Sequence, residues 1–218
     1  MNSDNLLMIF VKNPELGKVK TRLASTIGEE KALEVYKTLL AHTSTIVNSI
    51  GFDKAVFYSD SITHNDLWNN EKFQKYLQQG EDLGEKMLSA FTFAFAIGYK
   101  NVVIIGSDCI QLTAKIIEEA FELLIPACLP AGQAGPADRS NDVVIGPAKD
   151  GGYYLLGMNK LYKELFQNKK WSSENVLLDT LIDLKKRNVP YKLLETLSDV
   201  DHEEDLGELR KLIGKNQD

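Results

Sequence analysis

Four stretches of the sequence place charged side chains at the ends of apolar runs. In FVKNPELGKVKTRL, residues 10–23, Lys12, Lys18, Lys20 and Arg22 crowd around Pro14 and Gly17, with Thr21 between the last two cations. Lys and Arg neutralise phosphate oxygens, and a glycine lets backbone N–H groups approach the same anion. Four cations together in a chain of net charge −6 mark a phosphate site or a solvated basic turn. The segment is not a P-loop: the G-x-x-x-x-G-K-[ST] pattern fails, with Lys at 12 and Val at 19. In VVIIGSDCI, residues 102–110, an apolar run passes through Gly106 and Ser107 to deliver Asp108. Mg²⁺ favours one or two carboxylates completed by water and substrate phosphates, so one well-placed Asp can serve it. The alternative, an N-cap for a helix near Thr113, puts Asp108 too far upstream.

Two further acidic segments follow. Asp150-Gly151-Gly152 in VVIGPAKDGGYYLLGM reads equally well as a hairpin turn and as a place where backbone comes close to a ligand. In LSDVDHEEDL, residues 197–206, Asp199 and Asp201 face the same way if the chain is extended. Asp201 then either joins Asp108 at a metal or caps a helix that begins with HEED. His42, His64 and His202 lack zinc-site spacing, and there is no Gly-x-Ser-x-Gly elbow, Ser-His-Asp set or G-x-G-x-x-G fingerprint.

The elements that must position these groups alternate. Apolar runs at 6–11, 55–59, 101–107, 142–148 and 153–158 read as buried strands, and a further strand is expected near 191–197. Leu33, Tyr36, Leu40, Val47 and Ile50 share a helix face, as do Leu83, Met87, Phe91, Ala94 and Phe95. Helices are also expected at about 172–188 and 202–213. Strands that are apolar along nearly their whole length belong to a mainly parallel sheet covered on both faces. The expected architecture is therefore a single-domain three-layer α/β/α sandwich, class α/β, spanning 1–218. In such sheets ligands bind beyond the carboxyl ends of the strands, where the basic loop and Asp108 fall. PACLPAGQAGPADRSN, 126–141, reads as an Ala/Gly/Pro-rich surface insertion, with a substrate lid as the alternative.

Composition sets limits. With 44% hydrophobic and 26% charged residues the chain is of ordinary globular type. No apolar run approaches the roughly 20 residues of a membrane span, and the N-terminal MNSDNLL lacks a basic signal-peptide region, so a cytoplasmic protein is expected. Two cysteines, Cys109 and Cys128, are too few for a disulfide framework. The acidic balance argues against a nucleic-acid or anionic-membrane surface.

Taken together, FVKNPELGKVKTRL, QGEDLGEKM, GSDCIQLT, GPAKDGGYYLLGM, KWSSENVLLDT and DVDHEEDL resemble the DUF2064 family, assigned to nucleotide-diphospho-sugar transferases of GT-A-like fold. The KTRL arrangement is also similar to molybdenum-cofactor-type and phospholactate nucleotidyltransferases. The resemblance implies an NTP or nucleoside diphosphate sugar bound with Mg²⁺ or Mn²⁺, and puts Asp108 where that fold holds its metal-binding aspartate. The usual Asp-x-Asp is here Asp108-Cys109-Ile110, without the second carboxylate. The resulting candidate set is Lys20, Arg22 and Asp150 for catalysis, and Asp108 and Asp201 for the metal. Nucleotide contacts are expected from Lys12, Pro14, Gly17, Lys18, Thr21, Gly106 and Ser107. Three functions are expected, in this order. The first is glycosyl transfer from a nucleoside diphosphate sugar to a small-molecule acceptor. The second is nucleotidyl transfer from an NTP to a phosphorylated small molecule, and the third is nucleotide binding without turnover.

Overall fold

A computed structural model describes residues 3–124, 141–171, 173–207 and 209. Of the 126–141 insertion only Asn141 lies within the described residues. β1 (Asn5–Val11), β2 (Asp53–Tyr58), β3 (Gln74–Leu77), β4 (Asn101–Ile105), β5 (Val143–Pro147), β6 (Tyr153–Met158) and β7 (Tyr191–Leu193) form one sheet in the order β3-β2-β1-β4-β6-β5-β7. Every neighbouring pair is parallel except β4 with β6 and β5 with β6. Six strands therefore run one way, and β6 alone runs back.

β1 shows why the sheet must be covered on both sides. All seven of its residues are buried. Leu7, Ile9 and Val11 join one core; Leu6, Met8 and Phe10 join the other, as the two-residue period of a strand requires. The first core takes its cover from α2 (Glu29–Asn48) through Tyr36, Leu40 and Val47, and from α4 (Ala114–Leu124) through Ile117 and Phe121. The second is covered by α3 (Leu83–Ala96) through Met87 and Phe91, and by α5 (Val176–Lys186) through Leu184. Each such side chain contributes about 1.5–3 kcal/mol of burial, so the layers are held by their apolar faces. The sandwich is the α/β class expected.

Four local details depart from the sequence reading. β3, unexpected, is a half-exposed edge strand whose mixed QKYL sequence has no clear alternation; pairing with β2 makes it a strand. A short α1 (Thr21–Ile27) starts inside the basic segment. The helix expected from about 172 begins at Val176, because residues 173–175 turn against Gly151: Leu177 N donates to Gly151 O at 2.9 Å. At the C-terminal end Glu203–Asp205 form a 3-10 turn with His202 as N-cap, so Asp201 is not the cap. Residues beyond 209 in the expected last helix lie outside the described residues.

Candidate functional site

The chain leaves β1 at Val11, and Lys12 is fixed at once by Tyr36 of α2. Lys12 N donates to the Tyr36 hydroxyl at 2.8 Å, that hydroxyl donates to Lys12 O at 3.1 Å, and Ser107 Oγ lies 3.3 Å from it. One buried phenol thus ties the end of β1 to the end of β4. Asn13, also buried, accepts from Asp60 N at 3.0 Å and donates to Ser61 O at 2.8 Å, anchoring the loop to the end of β2. Between these anchors and Val19 the chain loops outward, then returns at Lys20.

Lys20 is the centre of the site. Its backbone is left-handed (φ 48°, ψ 44°), a conformation costing a side-chain-bearing residue roughly 1 kcal/mol or more. Its side chain is only 3% exposed, with Nζ 3.1 Å from Asp108 Oδ2 and 3.0 Å from Asp201 Oδ1. Burial pulls the ammonium pKa down, but Asp108 and Asp201 outweigh it and the net shift is upward. Arg22, 61% exposed on the first turn of α1, places Nη1 3.4 Å from Asp201 Oδ2. Burial would raise the Asp201 carboxyl, yet Lys20 and then Arg22 hold it below the ordinary value.

The acids converge from three places. Asp108 follows β4, and the segment after β7 docks beside it: Val200 N donates to Asp108 O at 3.2 Å, and Ser198 N to Gln111 Oε1 at 2.8 Å. Asp199 and Asp201 are thereby delivered next to Asp108. Burial first, then repulsion from Asp108 and Asp150, pushes the Asp199 carboxyl up to about 7. Asp150 sits in the turn between β5 and β6, where its Oδ1 accepts from Gly152 N at 2.9 Å. Gly151 has φ +88°, and a Cβ there would meet Glu174 O at 1.9 Å, so this turn requires glycine on both conformation and space. Cys109 points away from solvent, and burial followed by Asp199 drives its thiol up to about 12, unlike a nucleophile.

These groups line one cleft of about 590 Å³ at the carboxyl edge of the sheet. Lys12, Lys20, Thr21 and Arg22 line it, together with Asp108, Asp150 and Asp201. Pro14, Gly17 and Lys18 do not: they lie on the outward loop, where Lys18 pairs with Glu15 at 2.6 Å. The cations at both ends of the segment turn in because Tyr36, Asn13 and the acid pair hold them; its middle has no such anchor. Ser107 is buried against Tyr36, whereas Gly106 faces open space, with nothing within 4 Å of where a Cβ would stand. None of these five is among the residues that line the cleft, and their nucleotide contacts stand as proposals.

Residues 43–173, more than half of the chain, match the family described as "Uncharacterized protein conserved in bacteria (DUF2064)". The chain belongs to the DUF2064 family. The fold of this DUF2064 protein superposes with a TM-score of 0.82 on a protein from Desulfovibrio desulfuricans G20 provisionally named a nucleotide-diphospho-sugar transferase. The two are 30% identical, over 95% of this chain and 86% of that one. A CMP:2-keto-3-deoxy-manno-octonic acid synthetase complexed with CTP shares the fold at TM-score 0.57 and 9% identity, covering 98% of this chain and all of the other. Rv0371c from Mycobacterium tuberculosis H37Rv, in complex with manganese, shares it at 0.53 and 13%, over 94% and 98%. No curated protein matches the sequence. The fold is one that this chain shares with proteins named as transferases.

Sequence reasoning left part of this DUF2064 cleft without roles. Leu83, Tyr153, Trp171, Ser173, Glu174 and Val176 also line it. Tyr36 lines it as well and was read only as a core residue of its helix. The KWSSEN stretch runs into the helix expected from about 172, and no local feature of it names a partner across the fold. Asp199 was visible as the neighbour of Asp201, and its closeness to Asp150 was not.

Proposed function

We propose that this DUF2064 protein transfers a glycosyl group from a nucleoside diphosphate sugar to a hydroxyl of a small acceptor. The observation that carries the reading is the buried Lys20 ammonium held between Asp108 and Asp201 at the mouth of a cleft that also receives Lys12 and Arg22. Cations fixed in this way can stabilise a departing diphosphate without reorganising during the reaction. The bond from the anomeric carbon to the phosphate oxygen breaks, the acceptor oxygen bonds to that carbon, and the hydroxyl proton passes to a carboxylate, for which Asp150 is the candidate. Thr21, at the first turn of α1, adds a hydroxyl to the phosphate side.

The residues present suit a divalent cation. Asp108, Asp150, Asp199 and Asp201 outnumber Lys12, Lys20 and Arg22 in the cleft, and the Asp199 carboxyl is raised first by burial and then by repulsion from Asp108 and Asp150. Among the described residues no three Asp, Glu, His or Cys side chains are grouped to hold a metal. The protein would thus supply one or two oxygens and the substrate phosphates the rest, a pattern suited to Mg²⁺ or Mn²⁺. Asp108 and Asp201 would hold the ion, with Asp199 beside them. Bound there, it would neutralise charge on the leaving diphosphate. The carboxylate missing at Ile110 is offset in space by Asp199 and Asp201, more than 85 residues away in the chain.

Nucleotidyl transfer is the second reading, favoured by the same cationic wall: Lys20 and Arg22 would hold the triphosphate while a substrate phosphate attacks the α-phosphorus. Incubation with panels of nucleoside diphosphate sugars and triphosphates, with Mn²⁺ or EDTA, separates the readings by product. Free nucleoside diphosphate is expected. Pyrophosphate would replace the first reading by the second, and saturable binding without either product would leave a nucleotide-binding protein without turnover.

A further inference from the structure

The cleft is lined by two kinds of group: Lys12, Lys20 and Arg22 carry positive charge, and Leu83, Tyr153, Trp171 and Val176 are aromatic and aliphatic, Tyr153 and Trp171 packing against the core on the sheet face opposite Val19 and Tyr36. Trp171 is held ready. A Cβ on Gly84 would lie 2.1 Å from its Nε1, so the indole is pressed onto the first turn of α3 where only glycine leaves room. Phe166 stacks parallel to it with ring centroids 6.4 Å apart and 21° between planes. The indole borders the cleft beside Leu83, which is 46% exposed.

The rim of this wall is acidic. Asp150 and Glu174 both line the cleft, and they are brought together by the close approach of Gly151 to the Glu174 backbone. We propose that this wall is the acceptor subsite and that it takes a neutral, polyhydroxylated ring compound of saccharide or cyclitol type. The C–H face of such a ring lies against the indole and Leu83, its hydroxyls donate to the Asp150 and Glu174 carboxylates, and the water released from Leu83 adds to the affinity. An anionic acceptor would meet two carboxylates with Asp199 behind them, at a cost in like-charge repulsion that its ring contacts do not offset. The inference rests on the glycosyl-transfer reading for its role, but the binding it describes is measurable alone.

The test is calorimetric titration of the full chain with methyl β-D-glucoside, myo-inositol and glucuronate, each with and without UDP and Mn²⁺. Saturable binding of at least one neutral probe is expected, with none of glucuronate. Trp171→Ala should weaken the neutral probe roughly tenfold while leaving UDP affinity unchanged, with partial rescue by Trp171→Phe. Leu83→Ser, at an exposed position that cannot unfold the core, should weaken it severalfold and guards against misfolding of the tryptophan variant. Failure of both neutral probes in both conditions overturns the inference. So does a Trp171→Ala effect confined to UDP, which would give the wall to the nucleotide base. If UDP and all other nucleotides fail to bind wild type while a neutral probe binds, the transferase reading falls and the subsite stands.

Discussion

Lys20 and Lys169 are both almost completely buried, at 3% and 2% side-chain exposure, and both are held by carboxylates. Their surroundings differ. Lys169 meets one acid, Asp183 of α5, and so fastens the chain just before Trp171 to that helix. Lys20 meets two, Asp108 at 44% exposure and Asp201 at 32%, and adopts a left-handed backbone to reach them. A lysine with one partner behind a helix clamps the fold. A lysine whose partners both border a cleft keeps them assembled yet open to a ligand, and the strained backbone is consistent with a position retained for the site rather than for stability.

The comparison breaks most clearly by substitution of each lysine. Lys20→Ala should leave the protein folded and weaken nucleotide affinity roughly tenfold to a hundredfold, the scale of charge-assisted contacts worth about 1.5–3 kcal/mol. Lys169→Met should do the reverse: nucleotide affinity holds, while unfolding free energy drops by about 1–3 kcal/mol, below the full cost of breaking a buried pair because Asp183 remains partly solvated. Calorimetry and denaturant melts on both variants check this, and exchanged phenotypes would show that the division between clamp and site is mistaken.

Asp108→Asn sharpens the Lys20 side. The amide keeps the shape and is a poor ligand for a hard cation, so the metal-dependent part of nucleotide binding should be lost, about tenfold or more, while affinity in EDTA barely changes or improves. Wild type and variant titrated with Mn²⁺ and with EDTA form a double-mutant-style cycle. Equal strengthening by Mn²⁺ in both proteins removes Asp108 from the metal and leaves Asp199 and Asp201.

Tyr36→Phe should act more gently. It leaves Lys12 N without its 2.8 Å partner and cuts the link to Ser107, at a cost of about 1 kcal/mol in stability. As a positioning residue it should raise the nucleotide Kd a few-fold and leave product identity alone. A loss of stability with unchanged affinity would confine Tyr36 to the core.

Much of this arrangement was legible in the residues themselves. Strand and helix periodicity carried the sandwich, because burial on both faces dictates apolar runs such as LLMIFV; β3 escaped, because an edge strand needs only pairing. That the basic segment and Asp108 meet at the carboxyl edge of the sheet was legible, since each follows an apolar run that reads as a parallel strand. Which of its cations turn inward was not legible, because Tyr36, Ser61 and Asp201 decide that from 24, 48 and 181 residues away. The same holds for the aromatic wall: Trp171 meets Gly84, Glu174 meets Gly151, and neither contact leaves a local pattern.

The smallest effect separates Lys20 from a clamp by pH. Although burial lowers the pKa of Lys20, Asp108 and Asp201 lift it above the ordinary lysine value of 10.5. A group whose folded pKa exceeds its unfolded one stabilises fully below the unfolded value and loses that contribution as pH rises through the folded one. The Lys20 contribution to the stability difference between wild type and Lys20→Met should therefore persist to roughly pH 10.5 and be lost above it, while near pH 7 the difference should rise, because Lys20 holds down the Asp199 carboxyl, which lies at about 7. Asp201 has the opposite sign: its pKa is lowered, so its contribution is present above 3.8 and disappears as pH falls through the folded value. Denaturant melts of both proteins at stepped alkaline pH measure the first limb. Because Asp108 and Asp201 are partly open to water, the change should stay within about 1 kcal/mol. A difference that already declines near neutrality would mean that Lys20 is not held as a cation by the two acids, and the charge arrangement proposed for the cleft would have to be redrawn.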